Sequence, residues 1–321
     1  MRYSLFGRTN RYVSKVAFGT WGFDTSLWRD GNKHQFDTAL DVALELGINL
    51  FDTALVYGNG EAERTLGLAI ASHRAGVDAL VASKIPSLVP INIYSSHIHA
   101  NEAFPRDHIR QCTERSLKNL GVERLFLQQL HFWTSRWLYE GDWLETLLAL
   151  REEGKIEAIG VSLHDHDCFS AIELAESGLV DSIQAQFNLF DQGVNRYLGE
   201  VCLRTGTALL GRSPLYAGAL AGNYTHGHSF LPGDWRESFF DQEHINEVVS
   251  RVTEIREHFS LSPEKLADFA LCFCISNPFL TSVLVGMRVP RHVYSAISTS
   301  KKPLMEESMR FACRVYDWLS S

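Results

Sequence analysis

Four side chains stand where apolar runs of this chain break off, and their types suit moving a proton to or from an oxygen. In Asn49-Leu-Phe-Asp52-Thr53-Ala-Leu-Val-Tyr57 an apolar run ends on a carboxylate and delivers a phenol five residues later. The run 79–84 finishes on Lys84, and the run 125–131 finishes on His131. A phenol with an ordinary pKa of about 10 is a poor acid or base at neutral pH, but a lysine ammonium beside it stabilises the phenolate and lowers that value. Lys84 would make Tyr57 usable, Asp52 would hold and charge-balance Lys84, and His131 would orient a carbonyl or help relay its proton.

For these four to meet, the elements that carry them must be parallel strands opening on one face. Short apolar runs at 16–20, 49–53, 79–84, 125–131, 156–162, 182–188, 208–213 and 282–287 read as strands, and amphipathic runs such as 35–46, 61–71, 106–120, 143–153, 168–177 and 263–275 read as helices between them. Gly47, Gly121, Gly154 and Gly178 each follow such a run and suit a left-handed C-cap. Eight strand–helix units close most economically as a (β/α)8 TIM barrel, in which functional groups gather at the carboxyl ends of the strands. An open doubly wound sheet is the rival topology, but Gly58-Asn-Gly60 lacks the third glycine of a dinucleotide loop. Alternation on both sides of Gly7-Arg-Thr-Asn10 reads as a β-hairpin before the barrel. Long connections at 86–105 and 215–241 leave the catalytic face and are expected to bind ligands, and a third, 132–142, carries Trp133, Trp137 and Tyr139. One domain over residues 1–321 is the simplest organisation.

Composition narrows the class of function. The chain is 45% hydrophobic and 21% charged, as in ordinary soluble domains, with no apolar run of the roughly 18 residues needed to cross a bilayer. No secretory h-region marks the amino terminus, so a cytoplasmic protein is expected. The net charge of −8 disfavours nucleic acid as a partner. Six scattered cysteines show no metal or redox spacing, and free thiols are expected. The run His164-Asp-His166-Asp167 has metal-ligating types, but its residues are too close together to build a coordination sphere alone. No metal is expected; Asp167 is read as a helix cap, with His164 or His166 facing the pocket.

Taken together, Phe18-Gly-Thr-Trp-Gly22, Gly47-Ile-Asn-Leu-Phe-Asp52-Thr53-Ala-Leu-Val-Tyr57-Gly58, Ser83-Lys84, Ser116-Leu-Lys-Asn-Leu-Gly121, Gly154-Lys-Ile-Glu-Ala-Ile-Gly-Val-Ser162, Ser213-Pro-Leu215 and Val283-Leu-Val-Gly286-Met-Arg288 resemble the aldo-keto reductase family over nearly the whole chain. The resemblance implies a nicotinamide cofactor, with Tyr57 as general acid in reduction, Asp52 and Lys84 as its tuners and His131 as orienter. It places Ser162 and Gln184 at the nicotinamide carboxamide, Arg212 against the nicotinamide ring, Ser213, Leu215 and Gly218 around the pyrophosphate, and Gly286, Met287 and Arg288 at the adenosine phosphate.

Departures from the family pattern bear on the cofactor. Ser162-Leu163 replaces a frequent Ser-Asn pair, Arg212 replaces an aromatic residue, and Ser295-Ala296 stands where Glu-Asn often grips adenine. A guanidinium at 212 adds positive charge beside the cofactor, or pairs with a neighbour. Arg288 offers a partner for a 2′-phosphate, so NADP(H) is the expected cofactor. Trp21, Trp133 and His164 are candidate substrate-pocket residues, with Trp137 packing in its loop. The polar stretch 95–101 and the run 164–167 suit a hydroxylated substrate. The expected function is NADPH-dependent transfer of hydride to an aldehyde, ketone or sugar-like carbonyl. Alternatives are an NAD(P)-dependent alcohol or sugar dehydrogenase, or a cofactor-sensing regulatory subunit.

Overall fold

The computed structural model describes residues 1–73, 78–91, 97–302 and 304–319. Strands β1 (Tyr3–Leu5) and β2 (Tyr12–Ser14) pair antiparallel across the turn at Gly7. They precede eight parallel strands: β3 (Val16–Gly19), β4 (Leu50–Asp52), β5 (Leu80–Ile85), β6 (Leu125–Leu130), β7 (Ile156–Ser162), β8 (Ser182–Gln186), β9 (Ala208–Arg212) and β10 (Ser282–Gly286). These pair in chain order, and β10 returns to β3 to close the barrel. The TIM-barrel expectation holds, and the open sheet is excluded.

The helices are α1 (Lys33–Glu45), α2 (Glu61–Ser72), α3 (Ala100–Ala103), α4 (Arg106–Leu120), α5 (Trp143–Glu152), α6 (Ile172–Ser177), α7 (Leu198–Thr205), α8 (Trp235–Phe239), α9 (Gln242–His258), α10 (Pro263–Ser276), α11 (Pro290–Ser300) and α12 (Glu306–Val315). Glycines 47, 121, 154 and 178 all take positive φ at helix ends, as their places in the sequence imply. The expected helix over 168–177 opens with a 3-10 turn, Phe169–Ala171, before α6. The side chain of Asp167 accepts from the Ser170 amide at 3.1 Å, the capping role read from the sequence. No helix of the described residues is long and apolar enough to cross a membrane.

Two apolar layers hold the fold. The larger lies between strands and helices and includes Phe18, Leu40, Phe51, Leu66, Leu120, Leu147, Leu174 and Phe273. The smaller fills the amino-terminal end of the barrel, where Phe6 and Val13 of the hairpin segment join Ala17, Leu50, Leu80, Leu127, Ala158 and Leu284. The hairpin is therefore a plug, with Phe6 edge-on to Phe126 at 4.9 Å.

Helix α2 approaches the end of α4 so closely at Gly67 that a Cβ there would lie 2.4 Å from the Leu120 carbonyl oxygen. Backbone cannot yield as a flexible side chain can, so Gly67→Ala should destabilise the fold by about 1–3 kcal/mol, despite its better helix propensity. Urea unfolding would show this as a lower midpoint at unchanged slope.

Candidate active site

Asp52 closes β4, and its backbone carbonyl accepts from the Thr20 amide at 2.9 Å, tying the ends of β3 and β4. The chain then turns back. Tyr57 donates its amide to Ala54 at 3.1 Å, and Gly58 donates to the buried carboxylate of Asp24 at 2.8 Å. Asp24 thereby fixes the turn that aims the phenol, a role its sequence position after the first strand did not signal. Lys84, 1% exposed on β5, extends inside the barrel. Its Nζ donates to Asp52 Oδ2 at 2.7 Å, to the Thr53 carbonyl at 2.9 Å and to the Tyr57 hydroxyl at 3.4 Å. His131 follows β6, held by its amide on the Ile85 carbonyl at 2.9 Å, and its ring stands edge-on to Tyr57 at 5.8 Å. The four side chains converge as their strand-end positions implied.

Electrostatics differ from expectation in one respect. Burial raises the Tyr57 phenol above its ordinary value, and the nearby Lys84 ammonium pulls it down without overcoming that burial. Tyr57 is therefore protonated at neutral pH, with Lys84 limiting how far desolvation weakens its acidity. For Lys84 the largest influence is again burial, which disfavours the ammonium, but Asp52 and Tyr57 together hold it above its ordinary value. Burial, then Lys84 and Arg212, push His131 well below the usual histidine range, so its imidazole is neutral.

Above the tetrad lies a cavity of about 950 Å³, lined by Asp52, Tyr57, His131, Ser162, His164, Gln184 and Arg212 at one end and by Gly286, Arg288, His292 and Ser295 at the other. Ser213, Leu215 and Gly218 line it between. Ser213, Tyr216, Ala217 and Gly218 all have positive φ, a run of turned backbone that suits close approach of an anion. Met287 is wholly buried in the core, so its side chain is not available to a ligand as expected. Trp21 lines the cavity, its ring 6.5 Å from that of Tyr57. Trp133 does not: it is 1% exposed, donates its indole N–H to the Ser170 carbonyl at 3.0 Å and packs edge-on to Trp143. The helix layer takes it because its indole donor finds a backbone acceptor there. Trp137 packs beside it, its N–H on the Ile98 carbonyl.

Of the two long connections expected at the ligand, 86–105 and 215–241, the latter supplies much of the wall. Of 132–142, Phe132 alone reaches the cavity, and the described part of 86–105 does not. In the stretch 95–101, residues 95 and 96 lie outside the described residues, while His97 pairs with Glu140 and Asn101 bonds Asp142, away from the cavity. The wall that sequence reasoning missed is the segment after β3. Trp28 and Asp30 join Trp235 and Arg236 of the long loop there, with the Trp21, Trp28 and Trp235 rings 4.6–5.4 Å apart. The Trp235 amide on the Leu27 carbonyl and the Arg29 amide on Asp234 join the two segments over the cavity.

Arg212 is held by an ion pair with Asp165 at 2.6 Å and by the Leu163 carbonyl at 3.0 Å. Its charge is thus met within the protein, and the excess positive charge expected beside a cofactor is reduced. His166 turns away to buried Asp191 at 2.8 Å, leaving His164 and Asp165 at the cavity. Arg288 is engaged bidentately by Asp30, at 2.5 and 3.1 Å, and Arg236 reaches the same carboxylate at 3.2 Å. Ser295 is bonded to Asp268, and Ala296 is fully buried.

These groups fit a nicotinamide dinucleotide. An extended cavity runs from the proton-bearing tetrad past turned backbone to a guanidinium, Gln184 Oε1 has no partner among the described residues, and a Cβ at Gly286 would meet open space. The sequence model of the Aldo/keto reductase family matches residues 15–312. The chain belongs to that family. Its members are NAD(P)H-dependent oxidoreductases acting on carbonyls, and so is this chain. Among relatives, the aldo-keto reductase YhdN of Bacillus subtilis is 27% identical, covering 90% of this chain and 86% of its own. The NADH-specific methylglyoxal reductase of Escherichia coli is 27% identical over 89% of this chain and 90% of its own. The holo structure of aldo-keto reductase AKR11C1 from Bacillus halodurans superposes with a TM-score of 0.75 at 22% identity, covering 99% of this chain and 97% of that one, a likeness of fold.

Proposed function

We propose that this aldo-keto reductase family member reduces the carbonyl of a small aldehyde or ketone, with Tyr57 as the proton donor. One observation supports this reading above the others: the Tyr57 hydroxyl lies 3.4 Å from a buried lysine ammonium that also donates to the Asp52 carboxylate at 2.7 Å, with Asp52 and Tyr57 both lining the cavity. The nicotinamide cofactor supplies the hydride. Tyr57 delivers its proton to the oxygen as negative charge builds there, and Lys84 stabilises the phenolate that remains. Neutral His131 orients the carbonyl without adding a competing charge. Ser162 and Gln184 would hold the carboxamide, and the turned backbone at 213–218 the pyrophosphate. Following oxidation of reduced cofactor across a panel of aldehydes and ketones tests the reading; binding of the cofactor with no turnover of any carbonyl would favour a sensing role instead.

The expectation of NADPH rests on a guanidinium free to take a 2′-phosphate. Asp30 already occupies Arg288, and burial pushes the neighbouring His292 down to about 4, so it brings no second cation at neutral pH. Cofactor choice is therefore a competition between Asp30 and the 2′-phosphate for Arg288, and NADH is used alongside NADPH. Asp30→Ala should release Arg288 and tighten NADPH by roughly 1.5–3 kcal/mol, the range of a charge-assisted contact, with NADH affinity scarcely moved. Fluorescence titration of both cofactors checks this, and an equal change for the two would show that Arg288 does not meet the phosphate.

A further inference from the structure

Below Asp52 the barrel interior is polar where packing alone would favour apolar side chains. Gln129 on β6 is fully buried, stands in register with Lys84 on one side and Gly160 on the other, and is absent from the cavity wall. Its Oε1 accepts from Gln184 Nε2 at 3.4 Å, and the same nitrogen donates to Asp52 Oδ1 at 2.9 Å. Room for this arrangement comes from Gly160, where a Cβ would lie 2.4 Å from Ser182 Oγ and 3.1 Å from Gln129 Cγ. Gln129 Nε2 itself has no partner among the described residues, so hydrogen-bond satisfaction does not explain the side chain's placement.

The direction of the chain follows from charge. An ionised carboxylate only accepts, so the nitrogen end of Gln184 must face Asp52, and Gln129 must then offer Gln184 its oxygen. Both hydrogens of Gln184 Nε2 are occupied, and its Oε1 remains for the cavity. We propose that Gln129 is a positioning residue: through Gln184 it fixes Asp52, and hence Lys84 and Tyr57, while presenting the cavity with an amide face that accepts and does not donate. The group bound against Gln184 must then carry an N–H donor, as a carboxamide does. This rests on the proposed reading of Tyr57, Lys84 and Asp52 as the proton-delivering unit.

The test compares binding of reduced nicotinamide dinucleotide with its acetylpyridine analogue, which lacks the amide N–H2, by fluorescence titration without turnover. The wild-type chain should prefer the carboxamide about tenfold, the worth of one hydrogen bond to a fixed acceptor. Gln129→Met, which cannot touch either ligand, should compress that preference to about threefold or less by freeing the second Gln184 N–H, so that the amide can tilt on Asp52 and its oxygen is no longer held in one place at the cavity, and should lower kcat at saturating cofactor with little change in carbonyl KM. An equal weakening of both ligands, an unchanged preference, or a loss confined to KM would overturn the proposal. Gln184→Met provides a second reading if Gln129→Met folds poorly: the preference should vanish and kcat should fall at saturating cofactor, and an unchanged kcat would remove Asp52 positioning from the role. A wild-type chain that binds both ligands equally sinks this inference alone, whereas one that binds neither sinks the oxidoreductase reading beneath it.

Discussion

Tyr57→Phe is expected to lower carbonyl turnover by about 10³-fold, within the range for removing a positioned general acid, while cofactor affinity and stability stay near wild type. The ring keeps its packing beside Trp21 and His131, and Lys84 keeps its bonds to Asp52 and the Thr53 carbonyl, so no charge is stranded by the change. What disappears is the one hydroxyl that Lys84 contacts at the cavity floor. A loss in kcat at unchanged cofactor affinity marks an interaction made in the transition state. Stopped-flow reduction within a few-fold of wild type would remove Tyr57 from the role of acid.

Lys84→Met should act on both chemistry and fold. With the ammonium gone, Tyr57 loses the influence that opposes burial, and its acidity falls further. Asp52 is then left a buried carboxylate without its cation, a change that typically costs about 3–5 kcal/mol; the Gln184 donor at 2.9 Å relieves part of it. Adding Asp52→Asn to Lys84→Met should recover much of the stability, because the stranded charge is removed, and none of the turnover. Urea midpoints paired with turnover rates separate the two effects. A single variant as stable as wild type would show that the ion pair does not support the fold, and retained turnover would show that Tyr57 does not depend on Lys84.

The barrel and the tetrad were legible because both are written in short range. Apolar runs ending in Asp52, Lys84 and His131 carry their chemistry on the strand itself, so placing the strand places the group. Ser162 and Gln184 came instead through the family resemblance. Asp24, Asp30 and Asp165 were not reachable: each sits in a loop, and its meaning depends on a partner distant in the chain, such as Arg288 for Asp30. Trp133 misled because an indole just after a strand end points by its local rotamer and its N–H acceptor, and here the acceptor is the Ser170 carbonyl in the helix layer. Helix α8 escaped because it is five residues within a loop, too short to show a period. Gln184 was read at a strand end but stands in the middle of β8, and its bond to Asp52 crosses the barrel and leaves no trace in local spacing.

Among the described residues, the hairpin plug packs the amino-terminal end of the barrel, opposite the cavity. Phe6 and Val13 are fully buried there among apolar side chains, whereas the cavity at the other end reaches Asp52 and Tyr57. In the proposed reaction, each proton that Tyr57 gives up is replaced from the cavity side, through which the alcohol product also leaves. Reloading the acid and emptying the pocket then share one doorway, so the enzyme regains its proton after the product has moved aside, and a tightly held alcohol would stall recharging as well as exchange.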